Sequence, residues 1–367
     1  MAKRKSVSAI VIAVLALVAF APIALFSYHA WADRHQRGGG LPLTARIPDT
    51  VPPGTKLIIG DPVTQRVLQY TGWDKQLPFQ VEWANISGGP GVTEAFHARA
   101  IDVGSAANIP PINAIFVGIP VKIITVRLRG DPVHHPIYVL GIAPRARVRS
   151  LADLRGKRIA FSRGQAQGLV VLRALQAAGL TPKDVTLVDL PTSGDIYTGA
   201  LAAGAVDVAP LGAGINADRY LADYGAEGAR LLAHGPFRDD PGILYARTET
   251  LQDPAKAAAL REYVKFWGRA IEWVQTHRAE WIQDYYVKNQ GVSAQDAQSI
   301  IDAAGHPEVP RNWDEMIRYQ QDTIDLLARE TSQKPFAAAT LFDRRFETFA
   351  ADAIAQYRSR ETAPARR

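Results

Sequence analysis

Short apolar runs recur along most of the chain and are separated by stretches with the spacing of amphipathic helices. The runs typical of buried strands are KLIIG at 56–60, FQVEW at 79–83, IDVG at 101–104, PVKIITV at 120–126, IYVLGI at 137–142, KRIAF at 157–161, VTLVDL at 185–190 and GILYA at 242–246. From residue 254 onwards the pattern is almost wholly helical. Strands that alternate with helices favour an α/β fold in which helices cover both faces of a parallel sheet.

The repeating unit is clearest between residues 150 and 190. After KRIAF, the residues Leu169, Leu172 and Leu175 are spaced at three, as one face of a helix requires. Gly179 stands where a left-handed residue would end that helix, and VTLVDL follows it. A strand, a loop, a helix and a second strand of this length predict a right-handed parallel crossover.

The loop of this unit, SRGQAQG at 162–168, is a candidate anion site. It leads into a helix N-terminus, where unpaired N–H groups and a partial positive charge suit an anion. Ser162, Gln165 and Gln167 add neutral hydrogen-bond donors. The alternative is an ordinary strand–helix turn, because glycine, serine and glutamine are common in such turns.

The N-terminal 32 residues have the pattern of a secretory signal. Lys3, Arg4 and Lys5 precede an apolar run, and Ala30-Trp31-Ala32 fits a cleavage site with small residues at both ends. We expect cleavage after Ala32, or else an uncleaved membrane anchor, and in both cases the rest of the chain lies outside the cytoplasmic membrane. Residues 33–54 are rich in glycine and proline and predict a flexible tether.

Composition removes several classes of function. The chain has no cysteine, which excludes disulfides, thiolate metal sites and cysteine nucleophiles. Three of the net +6 charges belong to Lys3, Arg4 and Lys5, and the remaining +3 is too small to indicate a nucleic-acid partner. His134-His135 is the one histidine pair, and neighbouring side chains point apart in a strand, so we predict no metal site and no cofactor.

The aromatic residues of the C-terminal region are expected to pack in the core and not to form a stacking surface for nucleic acid; they are Trp267, Trp273, Trp281, Tyr285 and Tyr286.

Several motifs in order resemble the periplasmic substrate-binding proteins of ABC importers, and within them the sulfonate/nitrate/taurine group. The second lobe of that family is similar to Ser150, Asp153-Leu154 and Gly156-Lys157, followed by LVVLRALQAAGL and VTLVDLP. The first lobe is similar to Gly88-Gly89, AIDVG at 100–104 and Pro110-Pro111, and Asp207 repeats the pattern in the second lobe. The resemblance covers roughly residues 56–330.

The resemblance implies a type II periplasmic-binding-protein clamp. Residues 55–138 and 242–360 would form lobe 1 and residues 139–241 would form lobe 2, each a mostly parallel sheet flanked by helices, with a helical C-terminal segment and a tail at 361–367. Such a protein closes over its ligand by hinge motion. Ligand contacts would come from loops at the carboxyl ends of strands. Carried onto this chain, those contacts are Thr64, Gln65, Gly88, Gly89, Ser105, Ala106, Asn108, Ser162, Gln165, Gln167, Thr192, Ser193, Gly212 and Gly214.

Two departures from the family pattern bear on the ligand. Sulfonate binders often carry an aromatic-Asp-Pro segment where this chain has Leu211-Gly212-Ala213-Gly214, so the pocket should be larger and the ligand bulkier than a short alkanesulfonate. Arg127 and Arg129 alternate along one strand face, so either can pair with an anion in the cleft. The alternative is a pair of solvated arginines at a strand end.

The sequence thus predicts a monomeric, extracytoplasmic solute-binding component of an ABC importer, with a small organic anion as ligand and a membrane permease as partner. A sulfonate is the first choice of ligand, and the prediction is for binding without catalysis. The alternatives are an enzyme of the same fold acting on a small heterocycle or acid, and a membrane-tethered ligand-sensing lobe.

Overall fold

A computed structural model describes residues 40–86, 89–192 and 195–361. The chain divides into two compact units, residues 1–45 and 46–367. In the described part of the first unit, the Ala45 N–H donates to the Pro42 carbonyl at 2.9 Å and closes a turn. The predicted signal segment and the first seven residues of the predicted tether, together residues 1–39, lie outside the described residues.

The described residues of the second unit form two β-sheets. Its strands, in chain order, are β1 (Lys56–Gly60), β2 (Gln80–Trp83), β3 (Val103–Ala107), β4 (Val121–Arg129), β5 (Tyr138–Ile142), β6 (Arg158–Phe161), β7 (Thr186–Asp189), β8 (Val208–Gly212), β9 (Arg230–Leu232), β10 (Gly242–Arg247) and β11 (Pro307–Glu308). The six-stranded sheet has the order β11-β4-β10-β3-β1-β2, and the five-stranded sheet has the order β7-β6-β8-β5-β9.

Both sheets are mixed. Strand β1 pairs in parallel with β2 and β3, and β6 pairs in parallel with β7 and β8. The antiparallel pairs come from β10, which returns between β3 and β4, from β5, which lies between β8 and β9, and from β11, which pairs with β4. The runs IYVLGI and GILYA therefore move the chain from one sheet to the other and back, as their positions in the sequence predict.

The α-helices are α1 (Pro62–Thr71), α2 (Gly89–His97), α3 (Pro110–Phe116), α4 (Ala166–Ala177), α5 (Ile196–Ala202), α6 (Ile215–Tyr224), α7 (Thr248–Gln252), α8 (Pro254–Thr276), α9 (Arg278–Trp281), α10 (Ala294–Ala304), α11 (Asp314–Thr331) and α12 (Phe349–Glu361). A π-helix, Ile282–Asn289, continues α9. Short 3₁₀ turns occupy Trp73–Gln76, Leu151–Leu154, Pro182–Asp184, Gly225–Glu227, Ala338–Leu341 and Arg344–Phe346.

Helix α4 ends as its sequence predicts. Gly179 takes the left-handed conformation (φ 67°), and its N–H donates to the Gln176 carbonyl at 3.0 Å. The N–H of Leu180 donates to the Leu175 carbonyl at 2.8 Å, which completes a Schellman motif. This termination turns the chain back towards β7 and so closes the crossover.

Side chains on both faces of the five-stranded sheet pack against helices. Successive residues of a strand point to opposite faces, so Ile159 and Phe161 join one cluster with Val171 of α4, while Ala160 joins a second cluster with Leu201 of α5. A third cluster joins the C-terminal helices to α1 through residues such as Trp273, Trp281 and Val67. These layers confirm the predicted α/β class with a helical C-terminal segment.

Helix α8 is the longest of the described helices. Asp253 caps it by accepting hydrogen bonds from the N–H groups of Ala255 (2.9 Å) and Lys256 (3.0 Å), and Pro254 occupies its first turn. Among the described residues, no helix combines the length and the apolar character needed to cross a membrane.

Candidate functional site: a ligand cavity between the two sheets

A cavity of about 780 Å³ lies between the two sheets and is closed on one side by the C-terminal helices. Pockets of roughly 300–1,000 Å³ hold drug-sized ligands in proteins. The six-stranded sheet and its loops contribute one wall, and loops of the five-stranded sheet contribute a second. Apolar and aromatic side chains of the C-terminal helices form the rest; they include Trp267, Ala270, Ile271, Val274, Trp281, Tyr285, Tyr286, Ile300 and Ile301.

Three helices begin at this cavity. Val63 and Thr64 lie in the first turn of α1, Gln167 in the first turn of α4 and Asn216 in the first turn of α6, and all four residues line it. The first N–H groups of a helix have no partner within the helix and carry a partial positive charge. The first turns of α4 and α6 therefore give the cavity a favourable field for an anion, whereas the Asp61 carboxyl caps the start of α1.

Arg127, near the end of β4, brings a full positive charge into the cavity. Its side chain is exposed to the cavity, and its guanidinium has no hydrogen-bond or ion-pair partner within the described part of the chain. Burial lowers its pKa, and the nearby carboxylate of Asp61 opposes that shift. An arginine keeps its charge in proteins, so this guanidinium is available to pair with an anionic ligand.

Arg129 lines the same cavity, but its guanidinium already donates hydrogen bonds to the protein backbone. Its guanidinium donates to the carbonyl oxygens of His135 (2.6 Å), Pro136 (2.8 Å) and Ala303 (3.2 Å). These bonds hold the segment before β5 and the end of α10 against β4. Of the two arginines predicted to share a strand face, Arg127 is therefore available to bind a ligand and Arg129 stabilises the cavity wall.

Two buried carboxyl groups also face the cavity. Asp61, the N-cap of α1, accepts a hydrogen bond from the Tyr263 hydroxyl at 2.9 Å, and Asp240 accepts bonds from the Arg129 N–H and from the Arg238 guanidinium. Burial raises the pKa of Asp61 and of Asp240. Both carboxyl groups have protein donors, so neither is left to bind a ligand cation.

Several of the residues predicted for the ligand site line the cavity. They come from both sheets and are Thr64, Ser105, Ala106, Arg127, Gln167 and Gly212. Ala213 and Arg129, which the sequence also places near the ligand, line it as well. The structure therefore brings the carboxyl ends of β1, β3 and β8 to one space, as expected for a ligand crevice in an open α/β sheet.

Other predicted residues lie outside the cavity lining: Gln65, Gly89, Asn108, Ser162, Gln165, Thr192 and Gly214. Asn108 exchanges hydrogen bonds with Gln320 of α11, its amide donating at 2.9 Å and its carbonyl accepting at 2.8 Å. Ser162 is buried. Gly88 and Ser193 fall outside the described residues.

The anion loop predicted at 162–168 contacts helices α3 and α11. The Gly164 carbonyl accepts a hydrogen bond from the Asn113 amide of α3 at 2.9 Å, and Arg163 donates to the carbonyl of Glu330 in α11 at 3.1 Å. Gln167 is the residue of this loop that reaches the cavity lining. The remaining contacts predicted for the loop stay a prediction.

The sequence interpretation missed the aromatic contribution. Trp267, Trp281, Tyr285 and Tyr286 do pack among the C-terminal helices, but they also line the cavity. The available signal was the spacing W-x-x-x-Y-Y at 281–286, which places three aromatic rings on adjoining faces of one helix. Among the described residues, no cluster of His, Asp and Glu side chains is arranged to hold a metal ion.

Residues 72–232 match the family described as NMT1/THI5 like. A putative aliphatic sulfonates-binding protein of Escherichia coli (strain K12) is 32% identical over 106 residues, which span 29% of this chain and 32% of that protein. The chain thus matches about a third of the length of this curated relative.

Solved structures share the fold. The periplasmic aliphatic sulphonate binding protein SsuA from Escherichia coli superposes with a TM-score of 0.65 at 22% identity, over 78% of this chain and 91% of that one. A mutant of the desulfurization enzyme DSZB in complex with biphenyl-2-sulfinic acid has a TM-score of 0.53 at 16% identity, over 82% of this chain and 99% of that one. The resemblance drawn from the sequence is confirmed: residues 72–232 carry an NMT1/THI5-like segment, and the chain has the fold of the periplasmic sulfonate-binding proteins.

Proposed function

We propose that this protein is the solute-binding component of an ABC importer and that it captures a small organic anion in the cavity between its two sheets. The observation that carries the proposal is the guanidinium of Arg127, which stands in the cavity without a partner in the described part of the chain. Its N–H donors are therefore open to a ligand, and a charge-assisted hydrogen bond to an anion is the strongest interaction that they can make.

The lining indicates an anion with an apolar body. Arg127 and the first turns of α4 and α6 supply positive charge and N–H donors to the cavity. Most of the other lining residues are aliphatic or aromatic, which favours a ligand that buries hydrocarbon next to its charged group. Inorganic anions alone would leave this apolar surface without a partner.

A sulfonate is the ligand class with the most support. The E. coli relative is described as a putative aliphatic sulfonates-binding protein, and DSZB, which has the same fold, holds an aryl sulfinate. Both groups are permanently charged sulfur oxyanions at neutral pH, and a planar guanidinium with several N–H donors matches their oxygen atoms.

Binding in such a clamp works by closure, with no bond made or broken. Residues 55–138 with 242–360 and residues 139–241 would be the two lobes, and the segments that join the sheets would be the hinge. Delivery of the captured solute requires an extracytoplasmic location and a membrane permease as partner. These features rest on the likeness to periplasmic sulfonate-binding proteins.

Isothermal titration of the full-length chain with sulfonates, nitrate, sulfate and pyrimidines tests the proposal. We expect saturable binding of a sulfonate and a loss of about tenfold or more in affinity for Arg127→Met, because a charge-assisted hydrogen bond contributes about 1.5–3 kcal/mol. Arg147→Met is the matched control, since Arg147 is an exposed arginine outside the cavity lining. Equal affinities of the two variants for the sulfonate would contradict the proposal.

Binding and catalysis are distinguished in the same samples. Mass spectrometry of the ligand after long incubation should recover it unchanged, whereas an enzyme of this fold would release sulfite or another product. The chain has no cysteine, so a cysteine nucleophile is excluded whatever the ligand.

A further inference from the structure

Three aromatic side chains form a continuous wall on one side of the cavity. The rings of Trp281 and Tyr285 are stacked with centroids 4.3 Å apart and planes 4° from parallel. Tyr286 meets Tyr285 edge-on at 5.0 Å and 79°. All three line the cavity, and we call them the aromatic wall.

The backbone beneath the wall explains why adjacent tyrosines reach the same space. Tyr285 and Tyr286 belong to the π-helix, and the Gln290 N–H donates to the Tyr285 carbonyl, five residues earlier, at 2.9 Å. Such wide turns are rare and often mark functional sites. The turn is also held in place, because Arg66 of α1 donates to the buried carboxylate of Asp284 at 2.6 Å.

The aromatic wall does not only pack in the core, because part of its surface is open to the cavity. Trp281 is 3% exposed and covers one face of Tyr285, but Tyr285 and Tyr286 are only half-buried and present their remaining surface to the cavity. Neither hydroxyl donates a hydrogen bond to any residue within the described ranges. Burial raises the pKa of both tyrosines, so each keeps its O–H at neutral pH.

The wall and Arg127 belong to one recognition surface. The charge of Arg127 is close enough to Tyr286 to oppose the rise in the pKa of that hydroxyl. Ile271, Ile300 and Ile301 line the same cavity with aliphatic surface. A planar apolar ring has aromatic and aliphatic partners here, within reach of a cation for an attached anionic group.

Resting on the proposed function, we propose that the ligand is an aromatic anion, with its charged group on Arg127 and its ring against the aromatic wall. Offset-stacked and edge-to-face aromatic pairs are more favourable than the burial of equal area alone. The site would therefore prefer an arylsulfonate to an alkanesulfonate of similar size. The two tyrosine hydroxyls would donate to the oxygen atoms of the ligand.

Ligands that differ only in aromaticity provide the test. We would titrate the full-length chain with benzenesulfonate, cyclohexanesulfonate and ethanesulfonate. Benzenesulfonate and cyclohexanesulfonate carry the same anion on rings of similar size, and we expect benzenesulfonate to bind about two- to tenfold more tightly. Ethanesulfonate should bind more weakly than both, because it buries less apolar area.

Substitutions of Tyr285 then test whether the preference for benzenesulfonate depends on the aromatic wall. In Tyr285→Leu the affinities for benzenesulfonate and cyclohexanesulfonate should become nearly equal. Tyr285→Phe, which keeps the ring, should retain the preference for benzenesulfonate. Tyr70→Leu is the control, because Tyr70 is an exposed tyrosine (47% exposed) outside the cavity lining. Circular dichroism spectra and melting temperatures would show that each variant is folded.

The outcomes separate this inference from the proposed function. Equal affinity of the wild-type chain for benzenesulfonate and cyclohexanesulfonate, with binding that still depends on Arg127, would overturn the aromatic-ligand inference alone. Failure of every sulfonate to bind the wild-type chain would overturn both. The comparison of ligands in the wild-type chain decides the question even if a Tyr285 variant does not fold.

Discussion

Arg127 and Arg129 carry the same charge to the same cavity from one strand, but their surroundings differ. Three carbonyl oxygens satisfy Arg129, whereas Arg127 has no partner among the residues described by the structure. The alternation of the two positions could be predicted from the sequence. Their different roles could not, because the carbonyls that engage Arg129 come from residues 135, 136 and 303, far apart in the chain.

Gly242 determines the room available to the Arg127 side chain. The two residues are paired across β10 and β4, and a Cβ atom at Gly242 would lie 3.4 Å from Nη2 of Arg127. Alanine makes an ordinary contact at that distance, but the branched side chain of Gly242→Val would occupy the space of the guanidinium. We expect Gly242→Val to lose about tenfold or more in sulfonate affinity and Gly242→Ala to lose little.

Calorimetric titration of both variants with one sulfonate checks this expectation. Valine is favoured in strands, so the fold should persist in Gly242→Val. If the valine variant binds as tightly as the alanine variant, the guanidinium of Arg127 does not lie over Gly242 in the complex. The anionic group of the ligand is then not bound at the position proposed for it.

At the scale of elements, the strands were the most predictable part of the structure. KLIIG coincides with β1, and the boundaries of KRIAF, VTLVDL and GILYA agree with β6, β7 and β10 to within one residue at each end. Strands that are buried on both faces need apolar residues at nearly every position, so a continuous apolar run in the sequence is enough to predict them. The two-residue strand β11 and the π-helix were missed, because tertiary contacts fix them and no periodicity marks them.

The start of α4 depends on a glycine inside the helix. A Cβ atom at Gly168 would lie 2.0 Å from the Ser162 carbonyl oxygen, so the strand–helix turn closes only without a side chain there. We expect Gly168→Ala to lower the free energy of unfolding by about 1–3 kcal/mol, the usual cost of overpacking. Urea denaturation of the full-length chain measures it.

A second helical glycine serves as the matched control. Gly199 lies within α5, and a Cβ atom there would have no atom within 4 Å. Gly199→Ala should therefore raise the free energy of unfolding by about 0.5–1 kcal/mol, since alanine is the better helix former. An increase in the free energy of unfolding in both variants would show that helix propensity, and not the close approach at Ser162, decides the effect at residue 168.

For the whole molecule, α11 is one of the elements that connect the parts of the chain carrying the two sheets. On one side Gln320 exchanges hydrogen bonds with Asn108, which follows β3. On the other side Thr323 accepts a hydrogen bond from Arg173 of α4 at 2.8 Å, and Leu326 packs against the core of the five-stranded sheet. A hinge motion has to preserve or exchange these contacts. The sequence predicted two lobes but gave no indication of this connection, because its partners are far apart in the chain.

The charges that surround the cavity also come from distant parts of the molecule. Arg127 stands on β4, Asp61 precedes α1 and Asp240 precedes β10. Both carboxylates are close enough to oppose the lowered pKa of Arg127. When ionised, they reduce the positive potential that an anion meets, and when protonated they do not. The affinity for an anion should therefore depend on pH even though a sulfonate does not titrate.

The sign of that dependence follows from the direction of the pKa shifts. Burial raises the pKa of Asp61 above 3.8, so this carboxyl takes up its proton at a higher pH than a solvated one. As the pH falls from 7 towards that pKa, its negative charge is lost and sulfonate affinity should rise. Asp240, whose pKa burial also raises, would change the charge in the same direction.

Asp61→Asn isolates the contribution of Asp61. The variant lacks the negative charge at every pH, so it should bind a sulfonate about threefold or more tightly than the wild-type chain at pH 7. The two affinities should converge as the pH falls, because the wild-type Asp61 carboxyl becomes neutral while Asp240 contributes equally in both proteins. Asp223→Asn, at an exposed position outside the cavity lining, is the control for a change in net charge. Parallel pH profiles of the wild-type chain and Asp61→Asn would mean that the bound anion does not sense Asp61, and would place the charged group of the ligand away from Arg127.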